Sequence, residues 1–307
     1  MSSASATSSP ADRLRTYASF VRFEHTLFSL PLLIAGVFTA PGPALPVSRW
    51  LLIALAAVGA RTAALALNRL IDREIDALNP RTRGRELPSG RMRLAEAVAL
   101  LAAGGAVYLL ACAALGTWYL RVSWIPLAVF VVYPYLKRVT PLCHFGVGAA
   151  LALAPLAGYA AAHPDLGEPR AALALAGFAL FWVAGFDIIY ATLDEAFDRA
   201  HGLHSMVVWL GRRRALWVSA VLDLVGFLFL VSAAGQAGAG EFGSPWMGHW
   251  PVWAPPALVV LGGAVALLLF LEVKWAANVD LAFFKANVAV GFVVLALILV
   301  ARAAGGS

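Results

Sequence analysis

The chain has 307 residues, of which 61% are hydrophobic and only 13% charged, with a mean hydropathy of +0.80. This balance excludes an ordinary soluble domain and points to an integral membrane protein lying in a lipid bilayer. The net charge of +6 follows from basic residues flanking membrane helices, so no nucleic-acid partner is implied.

In chain order, the opening "MSSASATSSPAD" lacks a basic stretch followed by an apolar core, so residues 1–20 read as a disordered tail and not a signal peptide. Residues 21–307 then form one membrane domain. Nine apolar segments can be drawn near 26–42, 50–71, 94–115, 120–136, 142–162, 171–192, 214–234, 252–273 and 283–302. Each is about long enough to cross a hydrocarbon core of roughly 30 Å at about 1.5 Å per residue. With the N-terminus placed in the cytoplasm, eighteen basic residues fall inside and four outside (Arg49, Arg121, Arg170 and Arg302). That bias orients the chain in a bacterial-type inner membrane. Cys112 and Cys143 form no ligand spacing and read as small core residues.

The second segment ends in "NRLIDREID". Asn68, Asp72 and Asp76 recur every four residues, a step that turns only about 40° around a helix, so three oxygen-bearing side chains line one face. Asp and Asn are poor helix-interior residues, and propensity does not account for them. The sixth segment ends in "DIIYATLDEAFDRAHGLHS", where Tyr190, Asp194 and Asp198 repeat the same step at an offset of 122 residues. The duplication predicts two related halves, about 21–140 and 141–270, plus a ninth helix, arranged around a central cavity.

Hard oxygen donors of this kind suit Mg²⁺, which keeps several waters and takes one or two carboxylates together with phosphate oxygens. Metal held by Asn68, Asp72, Asp76, Asp194 and Asp198 would neutralise a diphosphate leaving group as its C–O bond breaks. Arg69, Arg73, Arg81, Arg83, Arg85 and Arg91, with Lys137 and Arg138 of "YPYLKR", supply candidate phosphate contacts. Pro88, Ser89 and Gly90 break the intervening loop, which can fold over the site as a lid. An apolar cavity suits a polyprenyl tail, and an electron-rich ring is the natural nucleophile toward an allylic cation.

These stretches resemble the signature regions of the UbiA superfamily of intramembrane prenyltransferases. The resemblance implies a nine-helix bundle in which two Mg²⁺ ions hold a polyprenyl diphosphate between Asn68, Asp72 and Asp76 on one side and Asp194 and Asp198 on the other. It also implies that Asp187 and Tyr190 lie near the reacting allylic carbon or the acceptor. "RFEHTLFSLPLL", "GARTAALALNRLIDREID", "GLHS" and "AFFKANVAV" resemble the 4-hydroxybenzoate polyprenyltransferase-like group, especially its menaquinone branch of the futalosine route. The implied aromatic acid acceptor is 4-hydroxybenzoate or 1,4-dihydroxy-6-naphthoate, in ubiquinone or menaquinone biosynthesis. Haem-type and chlorophyll-type acceptors are alternatives within the superfamily.

Three further residues are candidates for the acceptor. Arg61 lies inside a predicted span seven positions before Asn68, where a charge costs on the order of 2.5–3.5 kcal/mol and usually faces a partner inside the bundle. It either contacts an acceptor carboxylate or makes an internal ion pair or hydrogen bond. Arg22 and His25, at the entry to the first segment, either line the site or anchor the helix at the interface. His201 and His204 lack a third ligand for zinc and read as loop or capping residues. Intramembrane acids also serve cation-coupled transporters, but the duplication, the helix-end position and the dense arginines argue against that class.

Overall fold

The computed structural model describes residues 9–21, 26–238, 250–274 and 285–305. Among these there is no strand, and the helices in chain order are α1 (Pro10–Phe20), α2 (Thr26–Val37), α3 (Val47–Ile71), α4 (Arg73–Leu78), α5 (Leu94–Leu115), α6 (Thr117–Val122), α7 (Trp124–Leu136), α8 (Cys143–Ala162), α9 (Arg170–Ala191), α10 (Glu195–Ala200), α11 (Met206–Leu210), α12 (Arg212–Ala237), α13 (Ala254–Lys274) and α14 (Asn287–Gly305). Eight spans are long and apolar enough to cross a membrane, α6 and α7 counting as one. They match eight of the nine predicted segments. The first predicted segment is helical only over Thr26–Val37, 12 residues, and just beyond its end the Thr39 hydroxyl donates to the Gly36 carbonyl at 2.7 Å. The fourth is broken at Ser123, where the chain passes from α6 to α7.

The structure differs from the sequence reading at the N-terminus. Part of the stretch read as a disordered tail is α1, which starts at Pro10 under a Ser9 cap whose hydroxyl oxygen accepts the Asp12 N–H. The helix is retained because Phe20 is fully buried with Ala66, Met92 and Ala97, and Tyr17 and Arg13 donate to Glu96 at 3.1 and 2.9 Å. Polar composition hid a single apolar anchor.

The bundle is built around α9, 72% of whose apolar stretch is buried against 17–39% for the other seven spans. Leu175, Phe178, Trp182 and Val183 of α9 pack with Leu32, Leu230, Val294 and Ile298 from α2, α12 and α14. Large apolar side chains such as Leu110, Val259 and Phe270 stay exposed, as expected of a surface that meets lipid. Without a hydrophobic drive between helices in lipid, close approach depends on small residues. A Cβ on Gly158 of α8 would stand 2.0 Å from the Leu33 carbonyl oxygen of α2, and one on Gly36 2.1 Å from that of Pro155.

The halves repeat in backbone detail. α3 breaks at Asp72 (φ −93°, ψ 2°) before α4, and α9 gives way to α10 through Asp194 (φ −106°, ψ 2°), 122 residues later. The N–H of Asp76 donates to the Asp72 carbonyl at 2.8 Å, and that of Asp198 to Asp194 at 2.8 Å. Gly104 of α5 abuts the backbone of α3, and its equivalent at the same offset, Gly226 of α12, abuts the backbone of α9.

Gly158→Val should therefore lower the melting temperature of the detergent-solubilised protein by the equivalent of at least ~2 kcal/mol, since helix backbone must move to admit the side chain. Gly262→Ala on α13, where nothing lies within 4 Å of the added atom, should leave it unchanged or raise it. Equal melting of both variants would contradict the packing assignment.

Candidate active site

Both carboxylate motifs and the basic loop meet at one end of the bundle. The break at Asp72 leaves its carboxylate 3% exposed, and buried carboxylates require compensation. Lys137 Nζ donates to Asp72 Oδ2 at 2.7 Å and Arg138 Nη2 to Oδ1 at 3.1 Å, while the same Nη2 reaches the Ile71 carbonyl at 3.0 Å. Arg138 thus caps the end of α3 and its carboxylate together. The Asn68 amide donates to Asp72 Oδ2 at 3.3 Å, one turn earlier on α3.

Asp76 is paired with Arg85, whose Nη1 donates to both carboxylate oxygens at 2.8 Å. The 79–93 loop then crosses to the second motif. Asn79 Nδ2 donates to Asp194 Oδ1 at 2.8 Å, and Arg81 holds Asp194 through Nε at 2.9 Å and through Nη2. Arg81 Nη1 also donates to the Tyr190 hydroxyl at 2.8 Å, and the guanidinium lies over the Tyr190 ring, 4.8 Å from its centre. One loop of the first half therefore ties down two of the three duplicated positions in the second.

Burial alone would push the Asp194 carboxyl up, but the hydrogen bonds from Arg81 and Asn79 outweigh it and hold the group below the usual carboxylate range. Asp198 behaves oppositely. Burial first, and the Asp194 charge second, push it up to about 6 against the pull of Lys137 and Arg81. Among the described residues Asp198 has no ion-pair partner, which leaves a carboxylate whose charge a bound cation would compensate. No three His, Cys, Asp or Glu side chains among the described residues are grouped closely enough to hold a metal by themselves. The donor chemistry of Asn68 and the four aspartates nevertheless fits Mg²⁺, an ion that takes few protein ligands and completes its shell with water and phosphate.

Other sequence candidates are sorted by these contacts. Arg73 pairs with its neighbour Glu74 at 3.3 Å and is half exposed, away from the carboxylates. Arg91 turns into its own loop, donating to the Gly84 carbonyl at 2.7 Å and the Ser89 hydroxyl at 3.2 Å. Arg69 is buried, and Arg69, Arg61, Asp72 and Asp187 all lie within electrostatic reach of Tyr133 on α7. Arg61 Nη1 donates to the Ser29 hydroxyl of α2 at 3.3 Å. His201 stacks on Phe197 at 4.0 Å and the His204 N–H donates to the Lys137 carbonyl at 2.7 Å, so both shape the loop. Arg22 and His25 lie outside the described residues.

Three groups escaped sequence reasoning. Asn79 carries no spacing signal, because it meets Asp194 only across the two halves. His144 at the start of α8 lies 2.6 Å from Asp187 through its Nδ1, and Tyr133 stands beside both Asp72 and Asp187. Neither belongs to a repeat. The only cue was a polar side chain in an otherwise apolar segment.

The fold and site define a membrane protein of two similar halves whose duplicated carboxylates are met by a shared set of cations, a place suited to a charged head group with an apolar tail. The sequence profile described as the UbiA prenyltransferase family matches residues 29–289. The chain belongs to that family and is a prenyltransferase. It is 31% identical over 237 residues to a 4-hydroxybenzoate octaprenyltransferase of Shewanella denitrificans, covering 75% of this chain and 78% of the relative. A Marinomonas protein of the same name is 27% identical over 204 residues, 66% of this chain and 72% of its own. Among solved structures, a UbiA homologue from Aeropyrum pernix K1 in its apo form superposes with TM-score 0.78 and 34% identity, covering 90% of this chain and 98% of its own. A UbiA homologue from Archaeoglobus fulgidus, bound to GPP and Mg²⁺, shares the fold at TM-score 0.69 and 18% identity, covering 95% and 100%.

The tie between the loop and the second motif is measurable. Arg81→Ala should speed tryptic cleavage at the exposed Arg83 several-fold by releasing the loop, whereas Arg73→Ala, which removes only an exposed contact, should not. Equal cleavage rates in the two variants would count against the latch.

Proposed function

We propose that this prenyltransferase moves a polyprenyl chain from its diphosphate to an aromatic acid in a Mg²⁺-dependent reaction of quinone biosynthesis. One observation carries the reading: duplicated carboxylates, 122 residues apart at two matching helix breaks, are met by Lys137, Arg138, Arg81 and Arg85. The names of relatives, 4-hydroxybenzoate octaprenyltransferase, support an aromatic acid acceptor, and the fold neighbour bound to GPP and Mg²⁺ supports the diphosphate and the ion. The stretches "RFEHTLFSLPLL" and "AFFKANVAV" resemble the menaquinone branch and favour 1,4-dihydroxy-6-naphthoate over 4-hydroxybenzoate as the acceptor. Basic residues concentrated at the motif end support a cytoplasmic N-terminus and active site.

Asn68, Asp72, Asp76, Asp194 and Asp198 would hold Mg²⁺, which when bound neutralises charge building on the departing diphosphate. The chain's own residues do the rest. Arg81, Arg85, Lys137 and Arg138 bind the phosphate oxygens, exchanging a carboxylate partner for a phosphate one. Tyr190, oriented by Arg81, presents its ring toward the allylic cation, and apolar helix faces keep water from it. Arg61 supplies a positive charge for the acceptor carboxylate. Asp187, its side chain 26% exposed, accepts the proton that the ring releases once the new C–C bond has formed.

The deciding experiment is a mass-spectrometric prenyl-transfer assay on purified membranes, offering 4-hydroxybenzoate and 1,4-dihydroxy-6-naphthoate in parallel with one polyprenyl diphosphate, with and without Mg²⁺. Product should form from an aromatic acid only with Mg²⁺, and the acceptor consumed assigns the branch. Asp72→Ala and Asp194→Ala should each abolish turnover in protein that remains folded in the membrane. Retained turnover in both variants would sink the metal assignment.

A further inference from the structure

We propose that His144 is the positioning residue for Asp187, fixing that carboxylate as a proton acceptor without itself moving a proton; this rests on the aromatic prenyl-transfer reading above. His144 is 2% exposed at the start of α8, and both ring nitrogens are engaged. Nδ1 stands 2.6 Å from Asp187 Oδ2, and Nε2 stands 3.1 Å from the backbone nitrogen of Met206. Met206 is the first residue of α11, whose cap, the Ser205 hydroxyl oxygen, accepts the Val208 N–H at 3.2 Å and leaves the Met206 N–H to another acceptor.

A backbone N–H only donates, so Nε2 must accept and carries no proton. The single ring proton is therefore on Nδ1 and is donated to Asp187. This arrangement differs from a histidine that shuttles protons, which needs one nitrogen turned toward the reacting group. Here the second nitrogen is closed off by the main chain. Asp187 Oδ2 is occupied by the imidazole, and Oδ1 has no hydrogen-bond partner among the described residues, while the side chain keeps 26% of its surface exposed. Oδ1 is the atom left to take a proton.

The balance is complete with groups already named. The allylic C–O bond breaks with its electron pair leaving on diphosphate, and the ring carbon supplies the pair for the new C–C bond. The proton on that carbon passes to Asp187 Oδ1, and its bonding pair restores aromaticity. Oδ2 continues to accept from His144 throughout, so the carboxyl group keeps its orientation as it is protonated.

The test compares His144→Leu and His144→Asn in the full-length protein by the same membrane assay, with melting temperatures in detergent and kcat and KM for both substrates. His144→Leu should lower kcat by about tenfold or more, within the ordinary reach of a positioned base, with KM for the diphosphate unchanged. His144→Asn places an amide N–H near the position of Nδ1–H and should recover most of that loss. Its pH–rate profile should superpose on wild type across the range where imidazole ordinarily titrates. Wild-type kcat in His144→Leu overturns the inference. So does a His144→Asn variant as slow as His144→Leu that has lost a limb of the pH profile, which marks a proton relay, or activity losses that simply follow the melting temperatures. Wild-type protein inactive on both acceptors overturns the functional reading, and this inference with it, before any substitution is compared.

Discussion

Everything at the motif end of the bundle depends on compensating carboxylates at the point where membrane helices break. A helix that ends at the edge of hydrocarbon leaves carbonyls to be satisfied, and an aspartate at the break adds a charge to the same small volume. Arg138 meets both demands at once, donating to the Ile71 carbonyl and the Asp72 carboxylate. Asp194 sits at the matching break in the second half, and its compensation comes from Asn79 and Arg81 of the first. The two halves are thus joined by charge at the site as well as by apolar packing around α9.

That compensation gives the site its reciprocity. Lys137, Arg138, Arg81 and Arg85 are bound to the carboxylates that would hold metal, so in the proposed reaction arriving cations and an arriving anion exchange partners with groups already in place. Neither the carboxylates nor the guanidiniums have to enter the low-dielectric region uncompensated at any stage. The uneven behaviour of the second pair fits the same logic. Asp194 is held ionised by Arg81, whereas among the described residues Asp198 has no such ion-pair partner, and burial first and its neighbour's charge second push it up.

Much of this was legible in the sequence because it is periodic. Eight membrane spans follow from apolar runs, and the motifs follow from steps of four repeated 122 residues apart. What escaped depends on contacts between distant parts of the chain. Arg81 and Asp194 are 113 positions apart, His144 and Asp187 are 43 apart, and neither pair follows a helical or strand period. The basic loop could be assigned to phosphate as a set, but only the fold separates Arg85, turned to Asp76, from Arg73 and Arg91, turned elsewhere. The N-terminal helix was missed for the same reason: Phe20 finds its apolar partners in the α3 and α5 region, well beyond any local window.

The order of residues along α9 carries the last step. Asp187 and Tyr190 share a face of α9, which ends at Ala191, and Asp194 stands at the break just beyond it; seven residues of helix correspond to about 10 Å along the axis. Asp194 marks the level of the strongly basic rim. Asp187 lies about two turns toward the middle of the bundle, and Tyr190 lies between them. A diphosphate held at the rim would place its allylic carbon level with Tyr190 and the acceptor ring near Asp187. The depth ordering also accounts for the difference in partners. At the rim a guanidinium compensates the Asp194 carboxylate, whereas deeper in the bundle the His144 imidazole stands against Asp187, which in the proposed reaction would be the carboxylate left to take up a proton.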